Sequence, residues 1–237
     1  MVGNLLNSVI FVIELWLYSK MAFEILITDD HGIVRHGTRL LIKDMLPDAV
    51  IYEAENIDQM ISMLKIRPYD LLILDINLPG GNSTQMMDQA RLRRPDIKIL
   101  IFSAYDEKLY ATRYMQAGAN GYLHKHTSEQ EIRDAIHAIL HNGRYVSPSL
   151  QNFLMESFIQ KKDQHDNPLL ALSNREIEVA ELLVQGMGGI EISSSLNIQM
   201  STVSTYKKRI YEKLNVNNVA ELIEKFRLYG NSAGDMS

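Results

Sequence analysis

Between Phe23 and Asn142, short apolar runs alternate with stretches of helical periodicity. The runs are Glu24–Thr28, Val50–Ala54, Leu71–Leu74, Ile97–Phe102 and Gly121–Leu123. Four are dense in Ile, Leu or Val and end at polar or turn residues, as strands buried on both faces do. The fifth is weak by itself. Between the runs, Ile33, Gly37, Leu40 and Leu41 recur at helical spacing, as do Ile57, Met60, Ile61 and Leu64. Ser128-Glu129-Gln130-Glu131 forms a capping box ahead of Ile132, Ala135, Ile136 and Ile139. Five strand–helix pairs of this length predict an α/β unit, a doubly wound five-stranded parallel sheet.

The alternation stops after residue 142. Gly143, Pro148 and Pro168 punctuate the next stretch, and Gln160–Asn167 is almost wholly polar. This reads as a linker over 143–168 with one helix around Pro148–Gln160. The remainder, 169–237, reads as all-helical. Ser173-Asn174-Arg175-Glu176 is a second capping box, and its helix runs to Gln185 and stops at Gly186. A short helix around Ile190–Leu196, a turn at Asn197–Met200 and a helix over Ser201–Leu214 follow. A last helix spans Val219–Leu228, with Val219, Leu222, Ile223 and Phe226 inward.

Composition changes this picture little. Of 237 residues, 46% are hydrophobic and 22% charged, as in a globular protein. The absence of cysteine excludes disulfides and thiolate metal sites and agrees with a cytoplasmic location. A net charge of −5 excludes a global basic field, so any nucleic-acid binding must use a local patch. Residues 1–20 stand apart: Val9–Tyr18 is apolar except for Glu14, too short to span a membrane comfortably. No basic region precedes the run and no cleavage site follows it. The preferred reading is an over-extended start, with a short interfacial helix as the rival, and the first unit is taken as 21–142.

In a doubly wound sheet, ligands sit outside the carboxyl ends of the strands. Asp29 and Asp30 follow the first run and Asp75 the third, and these strands are neighbours in the five-strand version of the fold. Converging carboxylates call for a cation, and Mg²⁺ prefers such oxygens. Ser103 ends the fourth run and Lys125 follows the fifth, on the same rim. The set reads as a phosphoryl-transfer site. Asp75 is its nucleophile, Lys125 and Mg²⁺ offset charge, and Ser103 donates a hydrogen bond. An Asp after one strand is more often a helix cap, so the inference rests on all five groups in order.

Three segments resemble response-regulator receiver domains, whose fold is flavodoxin-like. These are Ile25-Leu26-Ile27-Thr28-Asp29-Asp30-His31, Leu74-Asp75-Ile76-Asn77-Leu78-Pro79-Gly80 and Gly118-Ala119-Asn120-Gly121-Tyr122-Leu123-His124-Lys125. The resemblance implies that Asp75 is phosphorylated by a sensor histidine kinase. It implies that Asp30, Asp75 and the Asn77 carbonyl bind Mg²⁺, with Asp29 contacting it largely through water. Ser103 and Tyr122 become a switch pair, the ring swinging inward. Two departures matter: His126 stands where many receivers have proline, and the Asn77 amide is placed to position water. The expectation is a phosphoacceptor with only slow self-dephosphorylation, not an enzyme, and with a phosphoryl lifetime on the short side.

Downstream, helix, short helix, turn and helix is a helix-turn-helix layout. Lys207, Lys208, Arg209 and Lys213 face only Glu212 there, a local charge of +3. The whole of 169–237 carries seven Lys or Arg against eight Asp or Glu. Leu172–Val179 and Ser201–Leu214 resemble the opening and the recognition helix of a LuxR-type helix-turn-helix. With a receiver, this is the NarL/FixJ arrangement of response regulators. The resemblance implies binding to double-stranded DNA, with Ser204, Thr205 and Lys208 at base edges and Lys207 and Arg209 on phosphates. It also implies a homodimer when phosphorylated or DNA-bound, with the last helix, through Leu222 and Phe226, as its surface. Gly188-Gly189-Ile190 departs from the usual polar start of the scaffold helix.

Two other readings compete. Haloacid-dehalogenase-like phosphatases also use a strand-end Asp with Mg²⁺, but need a second Asp where Asn77 stands, and a threonine or valine where Pro79 stands. The other is a receiver that signals by protein contact, its helical tail a degraded module. Salt-dependent DNA binding separates that from the main reading.

Overall fold

The computed structural model describes residues 22–78, 83–159 and 167–229. The N-terminal extension, Pro79–Gly80 and most of the polar stretch before Pro168 therefore lie outside the described residues.

The first unit alternates strand and helix throughout: β1 Glu24–Thr28, α1 Gly32–Met45, β2 Val50–Ala54, α2 Ile57–Ile66, β3 Leu71–Leu74, α3 Ser83–Arg93, β4 Lys98–Ser103, α4 Glu107–Gln116, β5 Gly121–His124 and α5 Glu129–Asn142. All strand pairs are parallel, in the order β2-β1-β3-β4-β5. Successive residues of a strand point to opposite faces, so the sheet supports two cores. Leu26, Leu72, Ile99, Ile101 and Tyr122 pack on the side of α2, α3 and α4. Ile25, Ile27, Leu71, Ile73, Leu100 and Leu123 pack against α1 and α5. The fifth strand, weak as a sequence signal, is set by a close approach. A Cβ on Gly121 would meet Ile139 Cδ1 at 2.9 Å.

Local signals fix the helix starts. Ser128 accepts from the Glu131 N–H, Asn56 from Gln59 and Asp106 from Leu109, each satisfying an orphan donor of the first turn. In α1 only Leu41 of the apolar stripe packs on the core. Ile33 is 82% exposed and Leu40 54%, whereas Arg35, Thr38 and Ile42 point inward. The reason is Arg35, whose guanidinium takes the inner face to reach the end of β1.

Helix α6, Pro148–Ile159, follows. A 3₁₀ turn at Pro168–Ala171 then opens the second unit: α7 Asn174–Val184, α8 Gly189–Ser195, α9 Met200–Leu214 and α10 Val219–Tyr229. The Ser173/Glu176 capping box is formed in full. The first turn of α8 forms despite its glycines, because Glu191 Oε2 accepts from the Gly188 N–H at 2.6 Å. Val203, Ile210 and Leu214 of α9 are buried with Ile177, Ala180 and Leu183 of α7. Leu222 and Phe226 also lie in this core, while Ile223 and Leu228 are exposed. That corrects the expectation for α10: Leu222 and Phe226 hold their own domain together, and Ile223 does not point inward.

Candidate functional site

At the carboxyl edge of the sheet, β1 and β3 are hydrogen-bonded neighbours, so Asp29 and Asp75 leave adjacent strand ends. The Asp75 N–H donates to the Thr28 carbonyl at 2.8 Å. Lys125 follows β5, its own N–H donating to the Ser103 carbonyl at 2.7 Å. Its ammonium lies 2.7 Å from both Asp75 Oδ2 and Asp29 Oδ2. Asp29 and Asp75 are buried and Asp30 is exposed. Three carboxylates against one lysine leave an excess of negative charge, which low dielectric makes costly. Burial, outweighing Lys125 and the Asn77 N–H, raises the Asp75 pKa. Burial also works against the Lys125 ammonium, but Asp75 and Asp29 more than offset it and its pKa is raised.

This donor set fits a divalent cation. One ligand atom each from Asp29, Asp30, His31 and Asp75 lies within 4.8 Å of the others. The side-chain Oδ1 of Asn77 is buried without a hydrogen-bond partner among the described residues, while its N–H donates to Asp75 Oδ1 at 2.9 Å. Hard oxygens, a charge deficit and a polar atom left over are the conditions Mg²⁺ meets.

Two residues of this rim went unread in the sequence. His31 Nδ1 lies 2.8 Å from Asp30 Oδ1 and 3.2 Å from Asp29 Oδ1. Arg35 is buried, with Nη1 donating to the Asp29 carbonyl at 2.7 Å and Nη2 to Glu55 Oε1 at 2.6 Å. No sequence signal marks it out, because α1 also carries Arg39 and Lys43 and nothing along the chain shows which cation turns inward.

Ser103 and Tyr122 are both fully buried. The Ser103 hydroxyl accepts from the Tyr105 N–H at 3.2 Å, and the Tyr122 hydroxyl donates to the Tyr105 carbonyl at 2.9 Å. The ring of Tyr122 therefore lies inward, and Tyr105, which sequence reasoning passed over, is the backbone station between the two. No peptide bond is cis among the described residues, the one preceding His126 included.

On α9, Ser204, Thr205, Lys207, Lys208 and Arg209 are all exposed. Ser204, Lys207, Lys208 and Tyr211 line one shallow concavity of about 530 Å³ with Asn215 and Asn217, while Thr205 and Arg209 lie round the helix from it. Ser204 and Thr205 donate to the Met200 and Ser201 carbonyls one turn back, at 3.1 and 2.9 Å. Lys213 does not join this surface. It is held 2.7 Å from the buried Glu176 and donates to the Ala171 carbonyl. Burial opposes ionisation of Glu176, but Lys213 and the Ser173 N–H override it and lower its pKa. The outward charge is thus three cations against Glu212, smaller than the sequence count.

Comparison with known proteins agrees with this geometry. Residues 25–137 match the response regulator receiver domain, and residues 170–226 match the LuxR family of bacterial regulatory proteins. Response regulator GacA of Pseudomonas aeruginosa is 32% identical over 200 residues, 84% of this chain and 92% of that one. The chain belongs to the NarL/FixJ family of response regulators. Oxygen regulatory protein NreC of Staphylococcus carnosus is 30% identical over 209 residues, 85% of this chain and 95% of that protein. Among solved structures, RcsB from Salmonella enterica serovar Typhimurium, bound to promoter rprA with a phosphomimetic present, shares the fold with a TM-score of 0.63. It is 23% identical and covers 86% of this chain and 98% of that one. This regulator therefore joins a receiver to a LuxR-type DNA-binding domain. Among its described residues, no helix is long and apolar enough to cross a membrane.

Proposed function

We propose that a partner histidine kinase phosphorylates this regulator on Asp75 and that this controls its sequence-specific binding to promoter DNA. The observation that carries the reading is the Asp75 carboxylate, buried yet bridged by Lys125 and set among Asp29, Asp30 and His31. In the transfer, an Asp75 oxygen attacks phosphorus and the P–N bond of the kinase phosphohistidine breaks, leaving an acyl phosphate. Asp29, Asp30, Asp75 and the Asn77 carbonyl hold Mg²⁺, which when bound neutralises the phosphoryl oxygens. Lys125 exchanges Asp75 Oδ2 for a phosphoryl oxygen, and the Ser103 hydroxyl turns from Tyr105 toward the same group.

The DNA side rests on the exposed α9 residues, with Ser204, Thr205 and Lys208 at base edges and Lys207 and Arg209 on phosphates. RcsB structures with DNA, one with two dimers on two parallel duplexes, favour a homodimer on DNA here too. A cytoplasmic location and slow self-dephosphorylation, with no other catalysis, complete the reading, along with domain limits of 21–142 and 169–237. The test uses acetyl phosphate with Mg²⁺. Wild type should gain a hydroxylamine-labile phosphoryl group and tighter promoter binding, and Asp75→Asn neither. Labelling that persists in Asp75→Asn would overturn the assignment.

A further inference from the structure

The two domains meet where α4 and the loop before it pack on α7 and the 3₁₀ turn. From α4, Arg113 donates to the carbonyls of Leu170 at 2.7 Å, of Leu169 at 3.3 Å and of Leu172, closing the last turn before α7. Beside this clamp the contact becomes unusual. Glu178 and Glu181 sit one turn apart on α7 and turn their carboxyls toward the receiver's tyrosines. Glu178 is paired with Arg175 of its own helix at 2.6 Å. Among the described residues, Glu181 has no such cation. Its Oε2 is sealed from solvent without a hydrogen-bond partner among the described residues, and so is the hydroxyl of Tyr110. The rings of Tyr105, Tyr110 and Tyr114 stack in succession and Tyr122 follows at a tilt, with centroids 4.8, 6.3 and 6.1 Å apart, so the same aromatic row that receives Glu181 ends at the buried ring beside Ser103.

We propose that Glu181 is a proton-operated latch between the domains: as a neutral acid it lets α7 dock on the tyrosine row of α4, and as a carboxylate it drives the domains apart. The inference does not depend on phosphorylation of Asp75, because it concerns the docked contact in the unmodified protein.

A buried carboxylate without a cation is costly, and a buried carboxylic acid is tolerated. Apart from the Tyr110 hydroxyl, the groups facing Glu181 push the same way or are already engaged. Burial raises its pKa to about 8; Tyr110 opposes this, and Glu178 and Asp106 add to it. Tyr105 and Tyr110 have their own pKa values raised, burial being the main cause, so neither phenol supplies a compensating charge change near neutrality. Arg113 spends its guanidinium on backbone carbonyls, and Arg175 on Glu178.

The sign of the linkage follows. Docked, Glu181 holds its proton to about pH 8; undocked and in water, it loses it near the ordinary carboxylate value of about 4.3. Docking therefore takes up a proton. It is unpenalised below the ordinary value, weakens about tenfold per pH unit as pH rises from there to about 8, and is flat above.

The chain lacks cysteine, so one introduced on exposed Lys65 of α2 and one on exposed Glu224 of α10 can be spin-labelled uniquely in the full-length protein. Distances between the labels, measured from pH 6 to pH 9.5 without phosphodonor, report the docked fraction. The expected result is a docked population that falls by at least tenfold over that range. Glu181→Gln, neutral and of the same shape, should stay docked at every pH, while Glu178→Gln, which removes one charge that raises the Glu181 pKa, should keep a dependence whose upper end moves to lower pH. Melting temperature and circular dichroism of each variant confirm that the domains themselves are folded. A wild-type docked fraction that does not change with pH, or a dependence that survives in Glu181→Gln, overturns the proposal. Since no step uses Asp75, the same measurement in Asp75→Asn should reproduce the wild-type curve, and phosphorylation failing there leaves the latch intact.

Discussion

At Asp75 the fold accepts a buried carboxyl beside two others, and burial raises its pKa against the pull of Lys125. Removing that charge relieves repulsion while Lys125 keeps Asp29 at 2.7 Å. Asp75→Asn should therefore stabilise the metal-free protein by about 1–2 kcal/mol, read as a rise in melting temperature. Millimolar Mg²⁺ should raise the melting temperature of wild type more than that of the variant. Asn77 offers a second residue-scale test. If its amide positions the attacking water, Asn77→Met lengthens the acyl-phosphate lifetime; an unchanged decay rate would refute that role. Arg35 acts at one remove. Replacing it by Met strips the Asp29 carbonyl of its 2.7 Å donor, and should weaken Mg²⁺ binding, measured by titration calorimetry, as well as lower stability by about 2 kcal/mol.

Among the elements, α9 divides its lysines by task. Lys208 is exposed, its pair with Glu212 3.8 Å long and weak at the surface, so it is free for DNA. Lys208→Ala should reduce the salt slope of DNA binding by about 1 and also relax sequence preference at the base it meets. Lys213→Met should leave that slope unchanged and instead lower the melting temperature, because Glu176 stays buried without its partner at a cost of about 1–2 kcal/mol, allowing for a half-exposed lysine. Charge counting along the sequence could not separate the two, since both are lysines on one helix. The distinction lies in Glu176, brought near Lys213 only by packing of α7 on α9. The strands were legible because buried parallel strands are nearly continuous in Ile, Leu and Val, and the acidic rim because topology puts Asp29 and Asp75 on neighbouring strand ends. The buried face of α1 was not, because the guanidinium of Arg35 displaced most of the apolar stripe outward. Nor was the role of Glu181: a glutamate on a helix reads as a solvated residue until a second domain covers it.

For the whole molecule, the contact between domains leaves α9 open. Ser204, Lys207 and Lys208 are exposed while Arg113 and Glu181 are engaged, so docking does not act by covering the recognition helix. It fixes where that helix sits relative to the receiver, and hence where a second copy's helix can reach. Arg113→Ala should lower the docked fraction about tenfold at pH 6, by the same label distances, and leave labelling by acetyl phosphate intact. The Arg113 clamp has a further consequence through the covalent connection of the two domains. Joined in one chain, they meet at an effective concentration in the millimolar range. A contact with a dissociation constant near that value leaves open and closed forms comparably populated, yet would go unseen between separate molecules at micromolar concentration. One proton or one phosphoryl group then suffices to redistribute the population, because the tether, not the strength of the interface, keeps the domains within reach.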